Sequence, residues 1–254
     1  MFELTGKRAL IVGVANQQSI AWGIAKAFRK AGAELAITYL NEKAEPHVRP
    51  LAEELDAPIV MPLDVSKPDQ EEPLFERIAE LWGRLDVFVH SIAFAPGDDL
   101  HGRVLDASPG GFATAMDISV HSFIRLARRA EPLMSDGGAC VAMSFYGAEK
   151  VVANYNLMGP VKAALEATTR ELAAELGPRN ITVNALSPGP MATRAAAGLA
   201  HFDDLMAEAA ERSPMRRLAT IDDVGAAAAF LSSDIARNIT GCVLHVDAGR
   251  HIMG

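Results

Sequence analysis

Seven short apolar runs, set apart by longer stretches of helical periodicity, constrain this chain more than any other feature. They are RALIVG (8–13), LAITYL (35–40), PIVMPLD (58–64), LDVFVHS (85–91), ACVAMSF (139–145), ITVNALS (181–187) and CVLHVDA (242–248). Most are continuously apolar rather than alternating, the pattern of parallel strands covered by helices on both faces. Between them lie stretches such as SIAWGIAKAFRKAG (19–32), PLFERIAELWG (73–83), FIRLARRAEPLM (123–134), VKAALEATTRELAAELG (161–177) and DDVGAAAAFLSS (222–233). Each has helical spacing, and several end in Gly, a favoured helix stop. The β-α-β-α order predicts an α/β fold with one doubly wound, Rossmann-type domain, a seven-stranded parallel sheet and helices on both faces.

A chain of 254 residues stays within the size at which a single core stops growing, and no linker or repeat divides it. One domain over 1–254 is therefore expected. PMATRAAAGLAHFDDLMAEAAERSP (190–214), rich in small apolar residues, stands apart as a candidate flap over a binding site.

Several function classes drop out. A formal net charge of −8 without a basic cluster gives no footprint for nucleic acid. No stretch approaches the roughly 20 apolar residues of a membrane span, and the apolar run after Arg8 is too brief for a signal peptide. Cys140 and Cys242, the two cysteines, each fall in an apolar strand-like run and are expected as buried, reduced thiols of a cytoplasmic protein. Seven histidines show no H-E-x-x-H spacing and no clustering with cysteine, so no metal is expected.

Ligands of such sheets bind outside the carboxyl ends of the strands. The first run ends at Gly13 and a helix starts near Ser19, where a nucleotide-binding loop presents backbone N–H groups and a helix N-terminus to a pyrophosphate. The spacing is not G-x-G-x-x-G. Gly13 as a plain turn, Ser19 as a helix cap and Gly23 as a packing contact to the sheet stay open. The second run ends in Tyr39, Leu40, Asn41 and Glu42, with no cation where a 2′-phosphate would lie, although Lys43 is close; NADH is expected over NADPH. Asp64 and Val65 end the third run, and Ser91, Ile92 and Ala93 the fourth; both groups are placed to touch adenosine. Asp64 as a helix cap is the alternative.

FYGAEKVVANYNLMGPVK (145–162) holds two tyrosines and two lysines. Tyr155 and Lys162 are seven apart, about two helical turns, and share a face if one helix carries both. A phenol works near neutral pH only when a neighbouring positive charge favours its anion, and Lys162 could supply one; taken alone the spacing is unspecific, and Tyr155 as a half-buried amphipath with Lys162 as a surface charge stays open. Pro160 is tolerated only in an opening turn, which predicts a helix starting close to Leu157, with Tyr155 just before it or in its first turn.

GVANQQSIAWGIA, HSIAFAP, YGAEKVVANYNLMGPVKAALEA, NALSPGP and ITGCVLHVDAG together resemble the bacterial enoyl-acyl-carrier-protein reductases, a divergent branch of the short-chain dehydrogenase/reductases, over about Leu4 to Gly249. The Y-x6-K spacing marks that branch; the commoner Y-x3-K is absent, since Gly159 stands four residues beyond Tyr155. The resemblance implies NADH-dependent reduction of the trans-2 double bond of an enoyl thioester in fatty acid biosynthesis, an acyl-carrier protein as partner and a homotetramer whose pairing surface includes ATIDDVGAAAAFLSS and ITGCVLHVDAG. Thr220 and Asp223 within it read as a capping box.

Tyr155 then matches the tyrosine that hydrogen-bonds the thioester carbonyl, and Lys162 the lysine that holds the nicotinamide ribose. Gly13, Ser19, Ile20, Leu40, Asp64, Val65 and Ile92 match adenosine and pyrophosphate contacts, and Pro190, Met191 and Thr193 the nicotinamide side. Ala95, Phe145, Met158, Ala195, Ala196 and Leu199 fall at acyl-binding positions, with Met191, Phe202 and Met206 in the same flap; an amphipathic helix packed as core stays open for its later members.

The family often has a tyrosine where this chain has Phe145, its own tyrosine being one place later at Tyr146. Strand alternation would turn Tyr146 away from the substrate, so Tyr146 is a secondary catalytic candidate. Ser144 reads as strand structure. Arg194, Arg216 and Arg217 are candidate carrier contacts or plain surface charge. Reduction of another conjugated or carbonyl compound, or non-catalytic nucleotide sensing, stay open beside the reductase reading.

Overall fold

The structure, a computed structural model, describes residues 3–193 and 202–253. All seven apolar runs are strands: β1 (Arg8–Val12), β2 (Glu34–Tyr39), β3 (Ile59–Pro62), β4 (Val87–His90), β5 (Gly138–Met143), β6 (Ile181–Pro188) and β7 (Val243–Val246). They form one sheet in the order β3-β2-β1-β4-β5-β6-β7, parallel throughout. The helices are α1 (Ile20–Lys30), α2 (Glu45–Glu54), α3 (Glu71–Trp82), α4 (Gly97–His101), α5 (Pro109–Met116), α6 (Ser122–Ala130), α7 (Met158–Leu176), α8 (Phe202–Arg212) and α9 (Ile221–Leu231).

Successive residues of a strand face opposite sides of a sheet, and each side here has its own core. Leu10 and Val12 of β1 join Phe88, Phe123 and Leu165 under α3, α6 and α7. Ala9 and Ile11 join Ile24, Phe28, Val48 and Val224 under α1, α2 and α9. Both faces of the central strands are therefore buried, which is why the runs look continuously apolar.

The chain order reverses between β1 and β4, the switch point where such sheets open a crevice. Gly13 forms that corner with φ +101°, and a Cβ there would lie 2.4 Å from the Ser91 carbonyl oxygen. Only glycine fits both the angle and the space.

Some expectations need correcting. Gly23 makes its close approach to α9 rather than to the sheet: a Cβ on Gly23 would meet Ile221 O at 2.3 Å, and one on Gly225 would meet Gly23 O at 2.5 Å. Cys140 is buried and its thiol is pushed up to about 12 by burial. Cys242 is exposed instead, because it precedes the edge strand β7. Helix α2 escaped the periodicity because Pro46 and Pro50 interrupt its pattern; Pro46 sits in the first turn, where no N–H partner is lost.

The capping box at the start of α9 is present, with Asp223 N donating to Thr220 Oγ1 and Thr220 N donating to Asp223 Oδ2. Among the described residues no helix is long and apolar enough to cross a membrane.

Candidate active site

The carboxyl ends of β4, β5 and β6, the start of α1 and the start of α7 enclose a cavity of about 520 Å³. Strand β4 brings Ser91, Ile92, Ala93 and Ala95 to its wall; the turn after β5 brings Phe145; the approach to α7 brings Tyr155, Met158 and Lys162; and the exit of β6 brings Pro190, Met191 and Thr193, with Ile20 from α1 closing the row. A second cavity, about 590 Å³, lies between α3 and α6 among Glu71, Arg125 and Arg129 and contains none of the expected residues.

Tyr155 is placed by a turn, not by a helix. Asn154 (φ +63°) and Asn156 (φ +44°) flank it in the left-handed region that asparagine tolerates, and Asn156 Nδ2 donates to Leu100 O at 2.9 Å. Helix α7 begins at Met158 after Leu157, so Pro160 is its third residue, where the missing N–H would have had no intrahelical partner. The expectation for Pro160 and Tyr155 holds, and the two-turns-on-one-helix argument does not apply to Tyr155 itself.

Gly147 leaves the room that the phenol ring fills: a Cβ there would meet Tyr155 Cδ1 at 2.5 Å. Phe145 packs on the same ring, with centroids 4.7 Å apart.

Lys162 is 4% exposed, and its Nζ donates to the Met143 carbonyl at 2.5 Å. Burial lowers its pKa from the usual lysine range to about 8, with Glu166 pulling the other way. Tyr155 is also buried; burial pushes its phenol well above the ordinary range, and the Glu166 carboxylate adds to this. A phenol so shifted remains protonated and serves as a hydrogen-bond donor to negative charge.

The strand argument about Phe145 and Tyr146 is corrected because β5 ends at Met143 and both residues lie in the following turn. Their rings touch, with centroids 4.7 Å apart. Phe145 lines the cavity; Tyr146 is not among its lining residues and lies under the guanidinium of Arg250, 5.7 Å from the ring centroid. Ser144 is also past the strand, not within it, and lines the cavity with its hydroxyl bonded to Glu166.

The remaining nucleotide candidates lie off this wall. Ser19 precedes α1 without capping it by its side chain: its hydroxyl donates to Asn16 O at 2.6 Å and accepts from Ala15 N at 3.4 Å, which fixes the loop, while its carbonyl accepts from Trp22 N at 3.0 Å. Leu40 is 54% exposed past β2, where Asn41 Oδ1 accepts from Lys43 N and Ala44 N. Asp64 caps no helix. Its Oδ1 accepts from the backbone and hydroxyl of Ser66, and against the opposing effect of partial burial these bonds and Lys67 hold the carboxyl below its usual range.

Val65 is buried, and its carbonyl accepts from Arg125. Ala195, Ala196, Leu199 and Arg194 lie outside the described residues.

Pro188, which departs from the family's usual Ala as Ala93 does from its Gly, lines the wall as expected; sequence reasoning missed Met143 and Gly189 and set Ser144 aside, although each follows or ends a strand and the carboxyl-end rule points to them. Phe94, Leu100 and His101 carried no such signal. Phe94 is tied by Ser119, whose hydroxyl accepts from Phe94 N at 3.0 Å and donates to Phe94 O at 3.1 Å.

His245, Asp247 and His251 do bring ligand atoms within 4.8 Å of one another, a grouping the spacing did not suggest. Asp247 already accepts from Gly249 N, His251 N and the His251 ring, and the two imidazoles stack at 3.8 Å with near-parallel planes. Lone pairs in parallel planes do not converge on one ion, and the cluster serves as a staple for the last turn.

Residues 13–251 match the family model described as enoyl-(acyl carrier protein) reductase. The chain belongs to this family. An NADH-dependent enoyl-acyl-carrier-protein reductase of Nostoc sp. is 47% identical over 257 residues, covering all of both chains. The crystal structure of the Anaplasma phagocytophilum reductase in complex with NAD has a TM-score of 0.95 and 48% identity over 99% of this chain and 96% of that one. That of the Bacillus cereus reductase, with NADP+ and an indole naphthyridinone, has a TM-score of 0.97 and 44% identity over the full length of both.

Proposed function

We propose that the chain reduces the trans-2 double bond of an enoyl-acyl-carrier-protein thioester, with NADH as reductant, in fatty acid synthesis. The observation that carries this is Tyr155 and Lys162 on one wall of a mostly apolar cavity at the carboxyl end of the sheet, in a chain of this family. The cofactor fits the loop at the switch point. Gly13 lets the loop pass against the Ser91 carbonyl, where no Cβ fits, and the fixed turn of Ser19 presents the N-terminus of α1 to a pyrophosphate.

Ser19 and Ile20 would hold the phosphates. Leu40, Asp64, Val65, Ser91, Ile92 and Ala93 would hold the adenosine side, and Pro190, Met191, Thr193 and Lys162 the nicotinamide side. When bound, NADH supplies a hydride to the β-carbon. Tyr155 donates its hydrogen bond to the thioester oxygen, on which negative charge gathers as the double bond becomes saturated, and a proton at the α-carbon completes the product. A positioned donor to such an oxygen contributes about 3 to 4 kcal/mol. Lys162 holds its charge beneath that centre in a dry environment, where it acts more strongly than in water.

Ala95, Phe145 and Met158, with Ala195, Ala196 and Leu199 of the 190–214 flap, would take the acyl chain; none offers a polar group, which suits a substrate that is hydrocarbon beyond its thioester. Tyr146 is left a structural part under Arg250 rather than a catalytic one. A single domain, a cytoplasmic location, docking of an acidic carrier near Arg216 and Arg217, and a homotetramer pairing through α9 and the edge strand β7 belong to the same reading.

The test follows NADH oxidation by absorbance with crotonyl-CoA or an enoyl-carrier thioester, in the natural chain and in Tyr155→Phe. The variant should lose about 10²- to 10⁴-fold in kcat with KM within a few-fold. Turnover of ketones but not enoyl thioesters would instead favour carbonyl reduction. NADH binding with no turnover of either would make the chain a nucleotide sensor.

A further inference from the structure

Two buried polar side chains beside the site have no part in the chemistry above. Glu166 is 6% exposed and lies four residues beyond Lys162 on α7, so the two share a helix face. Ser144, 5% exposed, directly follows β5. Its hydroxyl donates to Glu166 Oε1 at 2.5 Å, while Lys162 Nζ donates to Met143 O at the same distance. Opposite charges from one helix face thus grip two consecutive residues at the end of β5. The residue after them is Phe145, whose ring packs on Tyr155.

An ammonium group in so dry a place tends to lose its proton unless a negative charge stands near. Around Lys162 the candidates are few. His90 on β4 is fully buried and kept neutral, its pKa down to about 3 chiefly through burial, with Lys162 adding to the shift. Tyr155 stays protonated, and Glu166 is the group whose field favours the charged lysine. Glu166 in turn is raised by burial and by Glu149 in the turn after β5, and is held down by the Ser144 hydrogen bond, Arg170 on the next turn of α7 and Lys162. The same carboxylate disfavours a phenolate at Tyr155, which preserves the hydroxyl as a donor.

We propose that Glu166, tethered by Ser144, is a positioning residue that keeps Lys162 charged and fixed beneath the site. Its effect on turnover rests on the reductase reading; its effect on NADH binding rests only on Lys162 touching the cofactor.

The test measures NADH affinity by fluorescence titration and kcat/KM with crotonyl-CoA, both across a pH series, for the full chain, Glu166→Gln and Ser144→Ala. The alkaline limb of both profiles should move to lower pH by about one unit in Glu166→Gln, because each unit of pKa is a tenfold change in the lysine's protonation constant. A smaller shift in the same direction is expected for Ser144→Ala, whose Glu166 loses a donor and with it part of its charge. Should circular dichroism show Glu166→Gln unfolded, the Ser144→Ala limb decides. Variants that lose rate or stability with the limb unmoved would overturn the proposal, for that is what a purely structural carboxylate gives. If the natural chain binds NADH but reduces no enoyl thioester, the functional reading fails while the binding limb still tests Glu166.

Discussion

The two sides of the switch point are built on opposite principles. On the β1-β2-β3 side the work falls to backbone: a glycine corner at Gly13, a serine loop tied to its own carbonyls, and Asx turns at Asn41 and Asp64. Its side chains are exposed or occupied in holding their own loops. On the β5-β6 side the work falls to side chains taken out of water, with Tyr155, Lys162, Ser144 and Glu166 all buried within a few residues of one another in the chain or along α7. Recognition of a charged, solvated cofactor needs shape and amides; handling a charge that develops during a reaction needs groups whose protonation the fold has shifted.

That contrast can be broken from either side. After loss of the Tyr155 hydroxyl, the largest effect is expected at Gly13. Gly13→Ala sets a Cβ 2.4 Å from Ser91 O in a backbone with φ +101°, and backbone cannot yield as a flexible side chain does. NADH affinity should fall at least about tenfold, roughly 1.4 kcal/mol, with a lower melting temperature. A calorimetric titration showing unchanged affinity would mean that the cofactor does not cross this corner.

Gly147→Ala makes the same kind of intrusion on the other side, but into a ring: its Cβ would lie 2.5 Å from Tyr155 Cδ1. The expected result is a kcat reduced about tenfold, less than the roughly 10²-fold that a full 1 Å misplacement can cost in a positioned site, while the NADH dissociation constant stays within about twofold of the natural value. Equal losses of both would show that the two sides are mechanically coupled.

The pH dependence separates activity from stability. With a folded pKa of about 8 against an ordinary lysine value of 10.5, Lys162 is protonated below pH 8 and loses its charge above it, so kcat/KM should decline as pH rises through about 8. Between that pH and the ordinary value the unfolded chain binds more protons at this residue than the folded one. This residue's contribution to stability therefore increases with pH over the same window, by a total of roughly 3 kcal/mol. Comparing urea unfolding of the natural chain and Lys162→Met from pH 7 to 10 isolates the residue, and parallel curves would contradict the shift.

Legibility followed the same division. The strands and the start of α7 could be read because each rests on local rules: continuous apolar runs between two helix layers, and a proline confined to an opening turn. Tyr155 and Lys162 could be named because the motifs around them resemble the reductase family; their spacing alone is unspecific. Gly147 and Glu166 could not, since what makes them matter is a ring and an ammonium brought in by other parts of the chain. Cys242 was misplaced because an apolar run does not reveal which strand will be the edge. Phe145 faces the cavity and Tyr146 does not, as expected, but the turn after β5 separates them rather than strand alternation, which ends at Met143.

The smallest expected effect tests the backbone side where a side chain is left to act alone. Leu40 is 54% exposed at the end of β2; it can shield one face of an adenosine group but packs into neither core. Leu40→Ala should weaken NADH about threefold or less, since about 0.6 kcal/mol is what partial burial of a few methylene groups gives. Melting temperature should be unchanged within about 1 °C, as for most exposed substitutions. Binding of NAD fragments distinguishes the source: an adenosine-containing fragment such as ADP-ribose should weaken by the same factor, and nicotinamide mononucleotide should not. A loss shared equally by both fragments would put side-chain recognition on the side assigned here to backbone, and the contrast between the two halves would then have to be drawn elsewhere.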